Sequence, residues 1–289
     1  AEEEHRQFYG QYQAKGMIRP KRRLDEEAWL KLLRHPDEDV LLSGIFEVMC
    51  PALTAIRAGS DKKYGLNKKY LHDPATSTVT FAKTFHFVSQ ILNVTNVPRL
   101  FLRPDKPGGL VHVVTDPPAL VAGSSVLQGF NPQDLTFLVA KHVAYYRPQY
   151  YLRKVLETRD ELKTAVLAAV RISGTGLQDP NVDQWASEIS ARMQPVDLER
   201  LRKLCKQFVD AGAVTNVKGW SQAIELSACR AGFMINGSLE VASRLIQAEP
   251  PSNADDLPAK DKIKQIVRFS VSEEYFELRK RLGIQIEIG

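Results

Sequence analysis

The chain has 289 residues, 44% of them hydrophobic, and a formal net charge of +5 at pH 7, so it can bury a substantial core in one large domain or two small ones and is not expected to be disordered. No uninterrupted apolar run reaches about 18 residues, the best being 165–170, which argues against a bilayer-crossing segment. Three cysteines, Cys50, Cys205 and Cys229, odd in number and far apart, fit free thiols in a reducing compartment, so a cytoplasmic protein is expected.

Residues 1–20 are polar, contain Gly10, Gly16 and Pro20, and read as an approach segment to a single domain over 21–289. Their opening has neither the basic start nor the apolar middle of a secretory signal. Asp25 can cap a short helix reaching Arg34. A second helix follows Pro36-Asp-Glu-Asp39, with Val40, Leu41, Ile45, Phe46 and Met49 on its apolar side, and Pro51 is expected to kink or interrupt it. Basic residues concentrate at Lys21-Arg22-Arg23 and at Lys62, Lys63, Lys68 and Lys69, the second group interleaved with Tyr64 and Tyr70. A solvated lysine-rich loop is the expected reading there, and nucleic acid is not an expected partner.

Residues 79–92 have helical apolar spacing. Segments 98–103 and 110–114 read as strands joined by the turn Asp105-Lys-Pro-Gly-Gly109, and with Ala119–Gly123 they make a small sheet of about three strands. Asn131-Pro-Gln-Asp134 starts a helix expected over 135–147. Further helices are expected at 150–172, 183–192, 198–211, 220–235, 239–248, 260–269 and 273–282. The last has a capping-box pattern, Ser270 to Glu273, before it and Gly283 after it. The loop at 173–180 carries two glycines without the Lys-Ser/Thr ending of a phosphate-binding loop and reads as a connector. The expected fold class is α+β, predominantly helical, and no repeat of about 34 residues is visible.

Lys141-His142-Val143-Ala144-Tyr145 stands where a zinc peptidase carries His-Glu-x-x-His, a motif that sets two imidazoles on one helix face and a general base beside the first. Aligned on Ala140, Lys141 takes the place of the first His, His142 that of the Glu, and Tyr145 that of the second His. Shifted by one residue, His142 and Tyr146 fall on the ligand positions, again without an ordinary zinc pair. Downstream, Glu225-Leu-Ser-Ala-Cys229 matches a Glu-x-x-Ala-Asp motif with Cys229 for the Asp. Together with residues 117–140, these motifs resemble the HtpX and CAAX-prenyl-protease type of metallopeptidase. Tyr145-Tyr-Arg-Pro-Gln-Tyr-Tyr-Leu152, Arg230-Ala-Gly-Phe233 and Ser272-Glu-Glu-Tyr-Phe276 are similar to C-terminal regions of long tetratricopeptide-containing proteins known chiefly from myxobacteria. The resemblance covers 20–283. It implies a zincin-like core with no catalytic, cofactor-binding or metal residues, attached to a helical repeat scaffold that this chain does not itself contain.

A carboxylate left in such a cleft without zinc is costly unless compensated. Lys141 can supply the missing charge to Glu225, and Tyr145, one turn on, can donate its hydroxyl to the same group. The alternative is a solvated Lys141 beside a core Tyr145, and His142 reads as a packing or surface residue. The expected function is a noncatalytic pseudopeptidase that binds a protein partner or the remainder of a larger repeat protein, with an extended segment added to a strand near 110–114 or 119–123. Two alternatives stay open. One is a self-association domain using Tyr146, Arg147, Tyr150 and Tyr151, and the other is an atypical hydrolase using Cys229 with His142 or a noncanonical metal set of His142, Glu225 and another group. No membrane span and no small-molecule substrate are expected.

Overall fold

The computed structural model describes residues 20–176, 178–250 and 255–284; apart from Pro20, the approach segment lies outside them. Asp25 caps the first turn as expected, accepting from the Ala28 N–H at 2.7 Å. That turn, α1 (Glu26–Ala28), opens at once into a π turn over Trp29–Leu33. Asp39 caps α2 (Val40–Arg57). Among the described residues α2 is the one helix long and apolar enough to match a bilayer crossing by length and composition, although Ser43, Gly44, Glu47, Pro51 and Thr54 interrupt its apolar run. Its residues Leu42, Ile45, Phe46, Met49 and Leu53 are buried in the core. Pro51 does not interrupt the helix. Its ring lies on the exposed side, where the carbonyl one turn earlier loses its partner without being buried.

A sheet of four strands, one more than expected, has β1 (Leu71–His72) before α3 (Thr80–Ile91) and β2 (Arg99–Arg103), β3 (Leu110–Val113) and β4 (Ala119–Gly123) after it, in the order β1-β2-β4-β3. β2 and β4 run parallel, and the outer two pairings are antiparallel. Side chains alternate across the sheet. Leu100, Leu102, Leu120 and Ala122 face the helices, while Phe101, Val113 and Ala119 meet Leu66 and Tyr70 from the lysine-rich loop. That loop therefore covers one face of the sheet, held by Arg99 gripping Asp61 at 2.7 and 2.8 Å.

The rest is helical: α4 (Ser124–Gln128), α5 (Pro132–Ala144), α6 (Pro148–Val155), α7 (Arg159–Ile172), α8 (Pro180–Ser190), α9 (Pro195–Asp210), α10 (Val217–Asn236), α11 (Leu239–Ala248), α12 (Ala259–Ser270) and α13 (Glu273–Arg281). The helix expected over 135–147 stops at Ala144 because Pro148 begins a new one. The one expected over 150–172 is divided, α7 starting from a Thr158–Glu161 capping box. The α13 cap is Ser272, not Ser270, which is the last residue of α12. One continuous apolar cluster runs from Leu24 to Ile284.

Candidate functional site

α5 and α10 pack antiparallel, and the contacts between them step one turn at a time. Asn236 Nδ2 donates to the Gln133 carbonyl at 2.7 Å. At Gly232 a Cβ would lie 3.0 Å from both the Phe137 ring and its carbonyl oxygen, so the missing side chain is what lets the two backbones approach. Continuing along the pair, positions near 141 meet 229 and positions near 145 meet 225. The sequence motifs are thereby brought together. Lys141 Nζ lies 2.7 Å from Glu225 Oε1, the pairing expected from the sequence, and the Tyr145 hydroxyl donates to Glu225 Oε2. Cys229 Sγ is 3.9 Å from Glu225 Oε1.

Two residues that sequence reasoning missed complete this centre. Glu249, just past α11, accepts from Lys141, and Lys262 of α12 reaches Glu225 Oε1 at 3.0 Å. The Lys141 side chain is 3% exposed and that of Glu225 17%, so the pairing lies in a largely dry interior where charge compensation is required. Burial opposes the Lys141 ammonium, but Cys229, Glu225 and Glu249 around it more than offset that, and its pKa is raised. Burial likewise opposes the Glu225 carboxylate, yet Lys141, Lys262 and the Tyr145 hydroxyl hold its pKa well below the usual range. Lys141 is therefore a protonated amine with no lone pair to give a metal. Glu225 alone of the three aligned ligand positions offers a metal donor, so zinc does not fit the residues present. Among the described residues no three His, Cys, Asp or Glu side chains group into a metal site.

Cys229 is fully buried, and burial pushes its thiol up to about 12, the opposite of what a nucleophile needs. His142 is drawn elsewhere: its Nδ1 lies 2.9 Å from His112 Nε2 on β3, with the two rings stacked at 5.1 Å. Burial, then the charges of Lys154 and Lys141, bring His142 down to about 3. Burial, Lys154 and His142 hold His112 well below its ordinary value. Both imidazoles are neutral at pH 7, and the buried His112 Nδ1 has no hydrogen-bond partner among the described residues. Lys154 of α6 lies with Nζ 3.9 Å from the centroid of the Tyr145 ring, and burial lowers it to about 8, helped by Arg153 and Lys141 and opposed by the charges of Glu225 and Glu249.

The aromatic stretch after α5 is not a surface. Tyr146, Tyr150 and Tyr151 are wholly buried, Tyr145 and Arg147 nearly so, which corrects the expectation of an interface at Tyr146, Arg147, Tyr150 and Tyr151. The polar tips of Tyr146, Arg147 and Tyr150 each have an interior partner, while the buried Tyr151 hydroxyl has none among the described residues. Tyr146 donates to the Ala119 carbonyl at 3.0 Å, and Tyr150 donates to Glu38 at 2.6 Å. Arg147 spreads over the Trp29 ring at 4.2 Å while pairing with Glu26. Glu38 also accepts from Ser43 at 2.7 Å, and burial raises its pKa. The three missed side chains each had a signal: Glu249, Lys262 and Lys154 continue the buried stripes Ala242–Leu245–Ile246, Ile266–Phe269 and Tyr150–Tyr151 at helical spacing, where a charge is out of place. Comparison with protein-family models, with curated proteins and with solved structures finds no match to this chain.

Proposed function

We propose that this chain is a noncatalytic, peptidase-like domain that binds protein in a cleft whose metal has been replaced by an ion pair. The observation that carries this reading is Lys141 at the position of a first zinc ligand, paired with Glu225 at that of a later one. Charge that zinc would bring is supplied by an ammonium, and the helix pairing that displays the motif is kept. The raised thiol of Cys229 and the neutral His112–His142 pair support a noncatalytic role, since the thiol is not activated and neither imidazole is placed beside it as a base.

Protein binding rests on the sheet. β4 is paired on both sides and offers no edge, whereas β3 is the outer strand on the cleft side and His112 links it to α5. An extended segment can add to such an edge without a metal. The buried free thiols Cys50, Cys205 and Cys229 suit the reducing cytoplasm proposed as its location.

Metal analysis of the purified protein beside Lys141→His/Tyr145→His tests the reading. The parent is expected to hold no stoichiometric zinc and the double variant to gain it. Stoichiometric zinc in the parent would overturn the proposal.

A further inference from the structure

We infer that the segment taken up along β3 carries a carboxylate, and that Lys154 receives it. This rests on the protein-binding reading above. Three ammonium groups, Lys141, Lys262 and Lys154, converge on the cleft against two carboxylates, Glu225 and Glu249. Lys141 pairs with both carboxylates and Lys262 with Glu225. Lys154 has the Tyr145 ring and, among the described residues, no ion-pair partner. A desolvated amine resting on an aromatic face is an unmet demand for an anion. One excess positive charge matches one carboxylate.

The backbone says how that carboxylate arrives. Gly123 N–H donates to the Gly109 carbonyl at 3.0 Å, which makes 109/123 a hydrogen-bonded pair. Alternation then makes 111/121 and 113/119 the bonded pairs of the β3–β4 ladder. The N–H and C=O groups of Leu110 and His112 therefore point away from β4, toward the open edge. An incoming strand that pairs with them places every second side chain on the face that His112 occupies. That is the face on which His112 meets His142 and the edge of the Tyr145 ring, 5.8 Å away between centroids, with Lys154 on the same tyrosine. A carboxylate side chain on such a segment, or its chain terminus if it ends there, is delivered to the amine while the backbone supplies sequence-independent hydrogen bonds.

The test is selection from a library of random dodecapeptides displayed with free C-termini, panned on the full chain. Enriched peptides are expected to share a carboxylate within a β-branched context. Their binding should weaken about tenfold or more with Lys154→Met, as loss of a charge-assisted hydrogen bond requires, and be largely kept with Lys154→Arg. It should also be lost with Leu110→Pro, which removes an outward N–H at the start of an edge strand, where proline is tolerated; thermal melts establish that each variant is folded. Replacing the acidic residue by its amide, or amidating the C-terminus, separates a side-chain carboxylate from a terminal one. Peptides that require the edge but lack a carboxylate, or ignore Lys154→Met, overturn this inference and leave the protein-binding reading standing. No enrichment at all overturns both.

Discussion

Lys141→Met leaves the shape of the side chain nearly intact and removes its charge, stranding two carboxylates in unequal surroundings. Glu225 keeps Lys262 at 3.0 Å and the Tyr145 hydroxyl, while Glu249, with a side chain one-third exposed, can turn to water. Breaking a buried pair costs about 3–5 kcal/mol; the remaining partners of Glu225 and the exposure of Glu249 reduce this to about 2–4 kcal/mol, a large share of a typical stability. Urea unfolding followed by circular dichroism at pH 7 measures it. Lys141→Met/Glu225→Gln should be more stable than the sum of its single changes, because it removes the stranded carboxylate along with the ammonium. The sign of the pH dependence follows from Glu225. Its folded pKa is depressed, so its stabilisation is present above the unfolded carboxylate pKa and is lost as pH falls through the folded one; Lys141→Met should flatten that acid limb. A loss below about 0.5 kcal/mol at pH 7, the size expected for a solvated pair, would refute the buried ionic centre.

Gly232→Ala adds a methyl 3.0 Å from the Phe137 ring and carbonyl. Overpacking of about 1–3 kcal/mol should exceed the roughly 1 kcal/mol that alanine gains in helix propensity, so thermal melting is expected to show net destabilisation, and an unchanged or raised Tm would show that the helices can separate freely. Glu38 works in the opposite direction to Glu225: burial raises its folded pKa, so the stability it contributes is full below the unfolded carboxylate pKa and declines as pH rises through the folded value. The stability difference between the parent and Glu38→Gln should therefore favour the parent more at acid pH than at neutral pH, and a difference that is flat with pH would refute it.

The mostly helical α+β class, the three longer strands and the Lys141–Glu225 pairing were legible because each has a local signal: a period, a turn or two motifs a helix turn deep. β1 was not, since two residues carry no alternation. The unbroken α2 was not, because Pro51 affects a helix according to which side it faces, and that is decided by packing. Lys262 and Glu249 come from elements far along the chain from Lys141, and nothing in local spacing says that their stripes converge. The tyrosines read as an interface because Tyr and Arg are interface-rich residues. Their burial follows from the interior carboxylate of Glu38 and the Trp29 face, partners that lie over a hundred positions away.

The centre around Glu225 draws on α5, α10, the end of α11 and α12, and so cannot gather until those helices have docked. Contacts between segments this far apart in the chain carry a large loop-closure cost, and these are expected to form after the rate-limiting barrier of folding. Lys141→Met is accordingly expected to leave the refolding limb of a chevron nearly in place and to raise the unfolding limb. Its ions then work as a latch on the finished molecule, setting how long these helices stay docked once they have met.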